Sequence, residues 1–150
     1  SKNRHRSIQG CLMSEIIYRL GNDLNLDEVV DLLKATSLGV RRPIHDRDAI
    51  ASMIQHGNLT VTAWDGSLLV GIARSLTDFS FVAYLSDLAV RESHQRLGIG
   101  KELIRRTRAE LGPASKLVLI SAPAAVDYYP QLGFTQHPSA WTLDAREPLL

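Results

Sequence analysis

Residues 85–111 read LSDLAVRESHQRLGIGKELIRRTRAEL, and this stretch decides the fold. It opens on the end of an apolar strand, 81–90, whose buried pattern is interrupted only by the polar pair Ser86-Asp87. Its second half predicts a helix, because apolar residues recur at three- and four-residue offsets while charged residues occupy the other face. Glu102 and Arg106 add an opposite-charge pair four residues apart. A strand, a tight turn and a helix therefore follow one another directly.

The turn between strand and helix, Gln95–Lys101, contains Gly98 and Gly100. Glycine has no Cβ, so a ligand can approach the backbone closely at these positions. The first N–H groups of the following helix have no intrahelical partner and lie at the positive end of the helix dipole. The sequence therefore predicts an anion site here, with pyrophosphate as its natural occupant.

Two phosphate-binding motifs do not fit this turn. A Walker loop needs glycines five residues apart followed by Lys-Ser/Thr, whereas these glycines are two apart and Lys101 precedes Glu102. A dinucleotide fingerprint needs a third glycine where Leu103 stands. The pattern that fits is Gln/Arg-x-x-Gly-x-Gly/Ala. Gln95, Gly98 and Gly100 match it position by position, and in this the chain resembles the GNAT superfamily of N-acetyltransferases, whose acetyl-CoA pyrophosphate loop has this pattern.

The resemblance extends from about Ile16 to Leu143 and implies an α/β fold of the GNAT type. We expect a mixed, mostly antiparallel central sheet of six to seven strands with about four helices, in which the cofactor strand 81–90 runs parallel to the next strand, 116–120. The other expected elements are a strand at 16–20, helices from Asn25 or Asp27 to Gly39 and from Asp46 to His56, a hairpin of 59–64 and 68–74 around Asp65-Gly66, a helix at 124–131 and a last strand near 140–143.

The resemblance also implies which residues bind the co-substrate acetyl-CoA. The cofactor strand is expected to offer backbone groups to the pantetheine arm, with an N–H near Leu88 as a plausible oxyanion donor. The glycine turn is expected to hold the pyrophosphate. The implied cofactor-binding residues are Leu88, Ala89, Val90, Gln95, Arg96, Leu97, Gly98, Ile99, Gly100, Lys101 and Tyr128.

A second motif lies about thirty residues further on. Residues 124–134, AAVDYYPQLGF, are similar to the GNAT pattern Ala-x-x-Phe-Tyr-x-x-x-Gly-Phe, with Tyr128 on the Phe position and Tyr129 on the family's tyrosine. The resemblance implies that Tyr129 lies near the acetyl-CoA sulfur as general acid. A phenol of pKa ~10 is protonated at neutral pH and can donate to a leaving thiolate. The alternative is a packed structural tyrosine, and Pro130 disfavours regular helix at Tyr129.

The attacking amine must lose a proton, and Asp87 in the cofactor strand is the candidate general base. An alkylammonium is neutral in only about one part in a thousand at pH 7, which costs on the order of 4 kcal/mol before attack. Three alternatives stay open: Ser86, a backbone-bound water, and a purely structural role for the Asp87 carboxylate.

Composition bounds the remaining possibilities. A chain of 150 residues with 45% hydrophobic content predicts one domain, over 15–150, preceded by a loosely ordered basic terminus, 1–14. A formal charge of +1 gives no reason to expect nucleic acid or membrane as partner. Cys11 is the only cysteine, and His45 and His56 read as loop and helix-end residues, so no metal site is expected. No apolar run reaches about 18 residues, and a cytoplasmic protein is predicted.

We therefore expect an N-acetyltransferase that moves acetyl from acetyl-CoA directly to a primary amine of a small molecule, in a ternary complex. A homodimer is left open. The alternatives are acetylation of a protein amine and a non-catalytic acyl-CoA sensor or scaffold. Nucleic-acid binding by the Arg105-Arg106-Arg108 face is disfavoured, because no aromatic residues are interleaved there. The resemblance implies that the acceptor side lies at 36–46 and 75–80, where this sequence has Arg41, Arg42, His45 and Asp78.

Overall fold

The computed structural model describes residues 15–150. They form two compact units, which we call the main unit, 15–120, and the C-terminal unit, 121–150. The loosely ordered terminus predicted for 1–14 lies outside the described residues. A single domain over 15–150 stays a prediction.

The main unit is built on one five-stranded sheet in the order β1-β2-β3-β4-β5. Its strands are Ile16–Leu20 (β1), Leu59–Asp65 (β2), Leu68–Thr77 (β3), Val82–Val90 (β4) and Lys116–Val118 (β5). The first four form an antiparallel meander, and β5 runs parallel to β4 because helix α3 connects them. The predicted α/β class, the mixed and mostly antiparallel sheet and the parallel cofactor strand are thus found.

The strand count differs from the expectation of six to seven. β5 ends at Val118 instead of residue 120, and the described residues after it form no strand. The expected strand near 140–143 is therefore wrong. Its apolar side chains have no surface to pack against, since Trp141 is 91% and Leu143 61% exposed. Without a buried face, nothing stabilises an alternating strand there.

Four α-helices occur in the described residues: Leu26–Lys34 (α1), Arg47–His56 (α2), Ile99–Ala109 (α3) and Tyr128–Gln131 (α4). Asn25 and Asp46 cap α1 and α2, each by accepting a hydrogen bond from a first-turn N–H. The first helix ends at Lys34, short of the predicted Gly39, and a 3-10 turn, Ser37–Arg41, follows. In that turn a Cβ on Gly39 would lie 2.8 Å from the Leu33 carbonyl oxygen, so the chain folds back on the helix where only glycine fits.

Helices cover both faces of the sheet. The apolar side chains of α1 and α2 pack with Trp64, Ile72 and Ala89 in one buried cluster. On the opposite face, α3 packs so closely that a Cβ on Gly71 would lie 3.1 Å from Leu103. Each fully buried Leu or Ile stabilises the fold by about 1.5–3 kcal/mol, so these two layers fix where β4 and the start of α3 lie.

Candidate functional site

The cofactor strand carries a β-bulge in its middle. Arg74 of β3 pairs with Asp87 of β4, but the next residue, Ser75, pairs with Leu85, which leaves Ser86 without a partner on β3. One extra residue reverses the alternation of the strand beyond it. The side chains of Asp87 and Ala89 consequently point to the α1–α2 face, where Ala89 joins the core cluster and Asp87 meets Arg74.

The bulge also decides which backbone groups face the outer edge of β4. Pairing with β5 stops at Tyr84 opposite Val118. Beyond that point, the Arg91 N–H donates to the Val70 carbonyl while Val90 lies opposite Gly71. In an antiparallel ladder this pattern directs the N–H and C=O of Val90 and Leu88 away from β3, toward the edge that β5 has left.

Three strand residues were expected to contact the cofactor, and they are not equivalent. Leu88 and Val90 face the open edge, as the expected role requires. Ala89 instead pairs with Ile72 on β3 and has its side chain in the core, so the structure gives it no group on that edge. The Val90 carbonyl accepts a hydrogen bond from the Gln95 amide at 3.0 Å. Gln95 therefore reaches back over the strand it follows.

The turn after β4 exposes backbone donors. A 3-10 turn, Glu92–His94, leads to Arg96 with φ 65° and Gly98 with φ 81°, both left-handed. The α3 ladder begins with Glu102 N–H donating to the Gly98 carbonyl, so the N–H groups of Ile99, Gly100 and Lys101 have no acceptor within the helix. No side chain caps this end, and a Cβ on Gly98 would meet nothing within 4 Å. The residues present therefore fit an anionic group held by backbone N–H groups.

Side chains from distant elements fasten the start of this turn. The Arg91 guanidinium donates to the Leu69 carbonyl and, at 2.8 Å, to Asp31 of α1. His94 Nε2 lies 2.8 Å from the carboxylate of Asp65 at the end of β2. The sequence analysis did not single out Arg91 or His94. Both residues lie next to the glycine turn in the sequence, but their partners are 22 to 60 residues away.

Asp87, the candidate base, is 4% exposed and lies between two arginines. Its Oδ1 accepts from Arg42 Nε at 2.6 Å, and its Oδ2 accepts from Arg74 Nε at 2.5 Å. Both carboxylate oxygens are therefore engaged by guanidinium groups. This arrangement favours the structural alternative that the sequence left open for Asp87, and it brings in Arg74, which the sequence analysis did not name.

The arginines of α3 are held by a neighbouring carboxylate. Glu102 accepts from both Arg105 and Arg106, the latter at 2.9 Å. The Arg106 guanidinium also lies over the Tyr18 ring, 4.5 Å from its centroid. Arg105 and these hydrogen bonds hold the pKa of Glu102 down at about 2. Arg105 and Arg106 therefore form paired charges with Glu102 at the protein surface.

The second motif lies in the C-terminal unit. A 3-10 turn, Pro123–Ala125, precedes α4, so the helix expected over 124–131 is only its last four residues. Pro130 was expected to disfavour regular helix at Tyr129, but both residues belong to the four-residue helix α4, because Pro130 lies in its first turn, where no N–H is needed. The Tyr129 ring contacts Tyr128 and Phe134 edge-on, with centroids 5.3 and 5.4 Å away.

The surroundings of Tyr129 raise the pKa of its hydroxyl. Burial of the half-buried phenol, with a smaller contribution from Tyr128, raises the pKa of Tyr129 above its ordinary value of 10. Burial likewise raises the pKa of Tyr128. A neutral phenol is therefore favoured at both positions, and a neutral phenol is a hydrogen-bond and proton donor.

Within 15–150, no three His, Cys, Asp or Glu side chains cluster in a way that could hold a metal ion. His56 closes α2 with its Nδ1 2.9 Å from the Ser52 carbonyl, as a helix-end residue. No helix in the same range has the length and apolar character needed to cross a membrane.

Comparison with known sequences gives a family. A model described as an acetyltransferase (GNAT) domain matches residues 33–143. The chain is 31% identical over 132 residues to the uncharacterized N-acetyltransferase ycf52 of Pyropia yezoensis, covering 81% of this chain and 72% of that protein. It is 26% identical over 122 residues to the corresponding protein of Porphyra purpurea, covering 77% and 68%.

Comparison with solved structures gives the same fold. A GNAT family acetyltransferase from Streptococcus pneumoniae TIGR4 superposes with a TM-score of 0.70 at 23% identity, covering 88% of this chain and 99% of that one. The aminoglycoside N-acetyltransferase AAC(6')-Iy, in complex with CoA, gives a TM-score of 0.67 at 17% identity, covering 87% and 95%. The family model, the sequence relatives and the shared fold together show that the chain belongs to the GNAT family and is an acetyltransferase of that type.

Proposed function

We propose that the protein transfers an acetyl group from acetyl-CoA directly to the primary amine of a small molecule. The observation that carries this proposal is the pairing, within the main unit, of an open β4 edge with a turn of unpaired N–H groups. The edge presents Leu88 and Val90, and the turn presents Ile99, Gly100 and Lys101. A molecule with an extended amide-bearing arm and a diphosphate is complementary to both features.

The turn would hold the diphosphate of acetyl-CoA through the N–H groups at the start of α3. Arg96 and Lys101 have exposed side chains beside it and add positive charge. The pantetheine arm would lie along β4 as an added strand. Gln95 would then leave the Val90 carbonyl so that this acceptor can serve the arm.

In the chemical step, the amine nitrogen attacks the thioester carbon and the C–S bond breaks. The carbonyl oxygen gains negative charge during attack, and the Leu88 N–H is the proposed donor to it. The departing CoA sulfur takes its proton from the Tyr129 hydroxyl, which burial keeps protonated, and the resulting phenolate regains a proton from water. The family resemblance of Tyr129 supports this assignment, together with its raised pKa.

The proton lost by the amine is proposed to leave through water. Asp87 was the sequence-based candidate for this task, but its two oxygens already accept from Arg42 and Arg74. Taking a proton would remove the negative charge of a buried carboxylate that faces two guanidinium groups. We therefore propose that Asp87 orients these arginines and that a water bound to a β4 backbone group removes the proton.

The first experiment is a screen of primary amines with acetyl-CoA, read by release of free thiol. The panel includes tyramine, putrescine, lysine, a lysine-containing peptide and kanamycin, the last because one structural neighbour is an aminoglycoside N-acetyltransferase. Thiol release with a small amine and confirmation of its acetylated product by mass spectrometry support the proposal. Acetylation of the peptide alone would move the acceptor to a protein amine. Binding of acetyl-CoA without any transfer would favour a sensor or scaffold.

Tyr129→Phe tests the general acid. The variant should lower kcat by about 100-fold or more, because general acid catalysis typically contributes that much, while the Kd for CoA stays within about twofold. Tyr128→Phe, which removes the neighbouring hydroxyl, is the matched control and should keep most of the activity. Equal rates for Tyr129→Phe and wild type would remove the assignment.

The pH dependence gives a second readout of Tyr129. The active form is the protonated phenol, and its raised pKa moves the loss of activity to higher pH. The kcat of the wild type should therefore show no decline from this group below pH ~10, and should fall only above it. Tyr129→Phe should lack that falling limb. A limb of the same position in both proteins would contradict the assignment.

A further inference from the structure

Arg42 lies outside the sheet, and its side chain forms hydrogen bonds with residues of strand β4. It follows the 3-10 turn Ser37–Arg41, in the segment expected to line the acceptor side, and its side chain is 19% exposed. Its Nε donates to Asp87, its Nη1 to the Arg41 carbonyl and its Nη2 to the Ser86 carbonyl at 2.8 Å. One guanidinium thus ties the acceptor-side segment to the bulge of the cofactor strand.

Ser86, the extra residue of that bulge, is held from two sides. Its carbonyl accepts from Arg42, and its hydroxyl accepts from Arg74 Nη2 at 3.0 Å. Arg74 is itself fixed, because its Nη1 donates to the Met53 carbonyl of α2 and its Nε donates to Asp87. A bulged residue has lost its ladder partners, so these side chains supply the hydrogen bonds that the neighbouring strand does not.

The position of the bulge determines where the Leu88 N–H points. Ser86 is two residues before Leu88, and the one-residue shift at Ser86 is the reason that Leu88, and not Asp87, faces the open edge. The peptide that joins Ser86 to Asp87 directly precedes the peptide that carries the Leu88 N–H. Arg42 is bonded to the carbonyl oxygen of Ser86.

We infer that Arg42 is a positioning residue of the acetyl transfer: it holds the Ser86 bulge so that the Leu88 N–H is directed at the open edge of β4. This rests on the proposed function, in which that N–H receives the thioester oxygen. A guanidinium suits the task because its planar fork donates to the Asp87 carboxylate and the Ser86 carbonyl at once. A lysine ammonium keeps the charge but has no fork.

The test compares Arg42→Lys and Arg42→Gln with Arg47→Gln. Arg47 donates to Asp27 at the same 2.6 Å, but that pair is on the surface, with side chains 62% and 75% exposed. For both Arg42 variants we expect kcat to fall by tenfold to a hundredfold, the order that small misplacements of reacting groups cause. The Kd for CoA should change by less than about threefold, since the turn at Gly98 and Gly100 is untouched.

Arg42→Lys guards against the case in which Arg42→Gln does not fold. If the positive charge alone mattered, lysine would replace Arg42 without loss. A wild-type kcat in Arg42→Lys would therefore overturn the inference. So would a kcat within twofold of wild type in both variants, or an equal loss in Arg47→Gln. A loss of CoA affinity as large as the loss of kcat would also overturn it.

A second measurement does not depend on turnover. In 15N-labelled protein, acetyl-CoA should shift the amide signals of Leu88, Gly98 and Gly100 in the wild type. In Arg42→Lys the Leu88 signal should differ before ligand is added and respond less to it, while Gly98 and Gly100 respond as in the wild type. An unchanged Leu88 signal would refute the inference even if no amine is acetylated. Failure of the amine screen with a perturbed Leu88 would refute the proposed function and leave the positioning role standing.

Discussion

The two family motifs lie in units of very different construction. In the main unit, the cofactor strand and glycine turn are held by hydrogen bonds between elements far apart in sequence, such as Arg42 to Asp87 and His94 to Asp65. In the C-terminal unit, the described contacts of Tyr129 are with Tyr128 and Phe134, its near neighbours along the chain. Side chains there are largely exposed, and no strand forms.

The assignments in the two units therefore rest on different grounds. The geometry of the main unit follows from packing, because each anchoring contact is made by a residue of another element. The role of Tyr129 rests instead on the match of its motif and on the chemistry of a phenol. The same substitution should therefore change stability or CoA affinity by different amounts in the two units.

The largest difference should appear between Asp87→Asn and Asp127→Asn. Asp87 is buried between Arg42 and Arg74, and breaking a buried ion pair by removing one partner typically costs about 3–5 kcal/mol. Asp127 is an exposed residue of the C-terminal unit, and a surface substitution of that kind stays within about 0.5 kcal/mol. Urea denaturation at 25 °C and pH 7 measures both free energies of unfolding.

The result also tests the arginine cluster, by which we mean Arg42 and Arg74 around Asp87. If Asp87→Asn lowers the free energy of unfolding by less than about 1 kcal/mol, the carboxylate is not what holds the two guanidinium groups. Similar losses for Asp87→Asn and Asp127→Asn would remove the contrast between the units.

A smaller effect is expected at two glycines that share one backbone geometry. Gly98 in the main unit has φ 81° and Gly133 in the C-terminal unit has φ 94°, and a Cβ at either would meet nothing within 4 Å. Alanine at each position should cost about 1–2 kcal/mol of stability, the usual penalty of a left-handed residue.

Only Gly98→Ala should also weaken CoA binding, by about tenfold, because its Cβ enters the space beside the first N–H groups of α3. Calorimetric titration with CoA measures this, and Gly133→Ala should bind within about threefold of the wild type. Equal weakening in both variants would contradict the assignment of the diphosphate to the glycine turn.

Much of the main unit could be predicted from its sequence because its signals are local. Asp65-Gly66 fixed the hairpin, the spacing of Ile99, Leu103 and Ile104 fixed α3, and the glycine turn between strand and helix identified the family. Each of these patterns is formed by residues that lie close together in the sequence. The confirmed parallel pairing of β4 and β5 follows from the helix that connects them.

The arginine cluster could not be predicted because it depends on register. Arg74 in an apolar strand and Asp87 in the next strand were visible as opposite charges. Their pairing depends on the extra residue Ser86, and no local pattern announces a bulge there. Arg42 lies 45 residues from Asp87, and a separation of that length is settled only by the packing of α1 and α2 on the sheet.

The late strands failed for a different reason. A last strand was expected near 140–143, but a strand needs a partner and a buried face. β5, the nearest strand in sequence, is only three residues long. Trp141 and Leu143 remain exposed, so no packing stabilises a strand there.

The smallest loss of stability is expected for Glu102→Gln. This variant tests whether Asp87→Asn costs more stability than Asp127→Asn because Asp87 is buried or because it belongs to the main unit. Glu102 belongs to the main unit, yet it pairs with Arg105 and Arg106, which are 65% and 45% exposed. Pairs of this kind three or four residues apart on a helix contribute about 0.3–0.5 kcal/mol each. Glu102→Gln should therefore lower the free energy of unfolding by less than about 1 kcal/mol at pH 7, and by less still in 1 M salt.

The pH dependence has a definite sign. The pKa of Glu102 is lowered from 4.5 to about 2, so its contribution is present above the unfolded-state value of 4.5 and disappears as pH falls toward about 2. The difference between wild type and Glu102→Gln in urea denaturation should accordingly shrink between pH 5 and pH 2, a window that follows from that pKa. A loss as large as that of Asp87→Asn would mean that residues of the main unit are sensitive whatever their exposure. A small, salt-dependent loss would assign the sensitivity of Asp87 to its burial between two guanidinium groups.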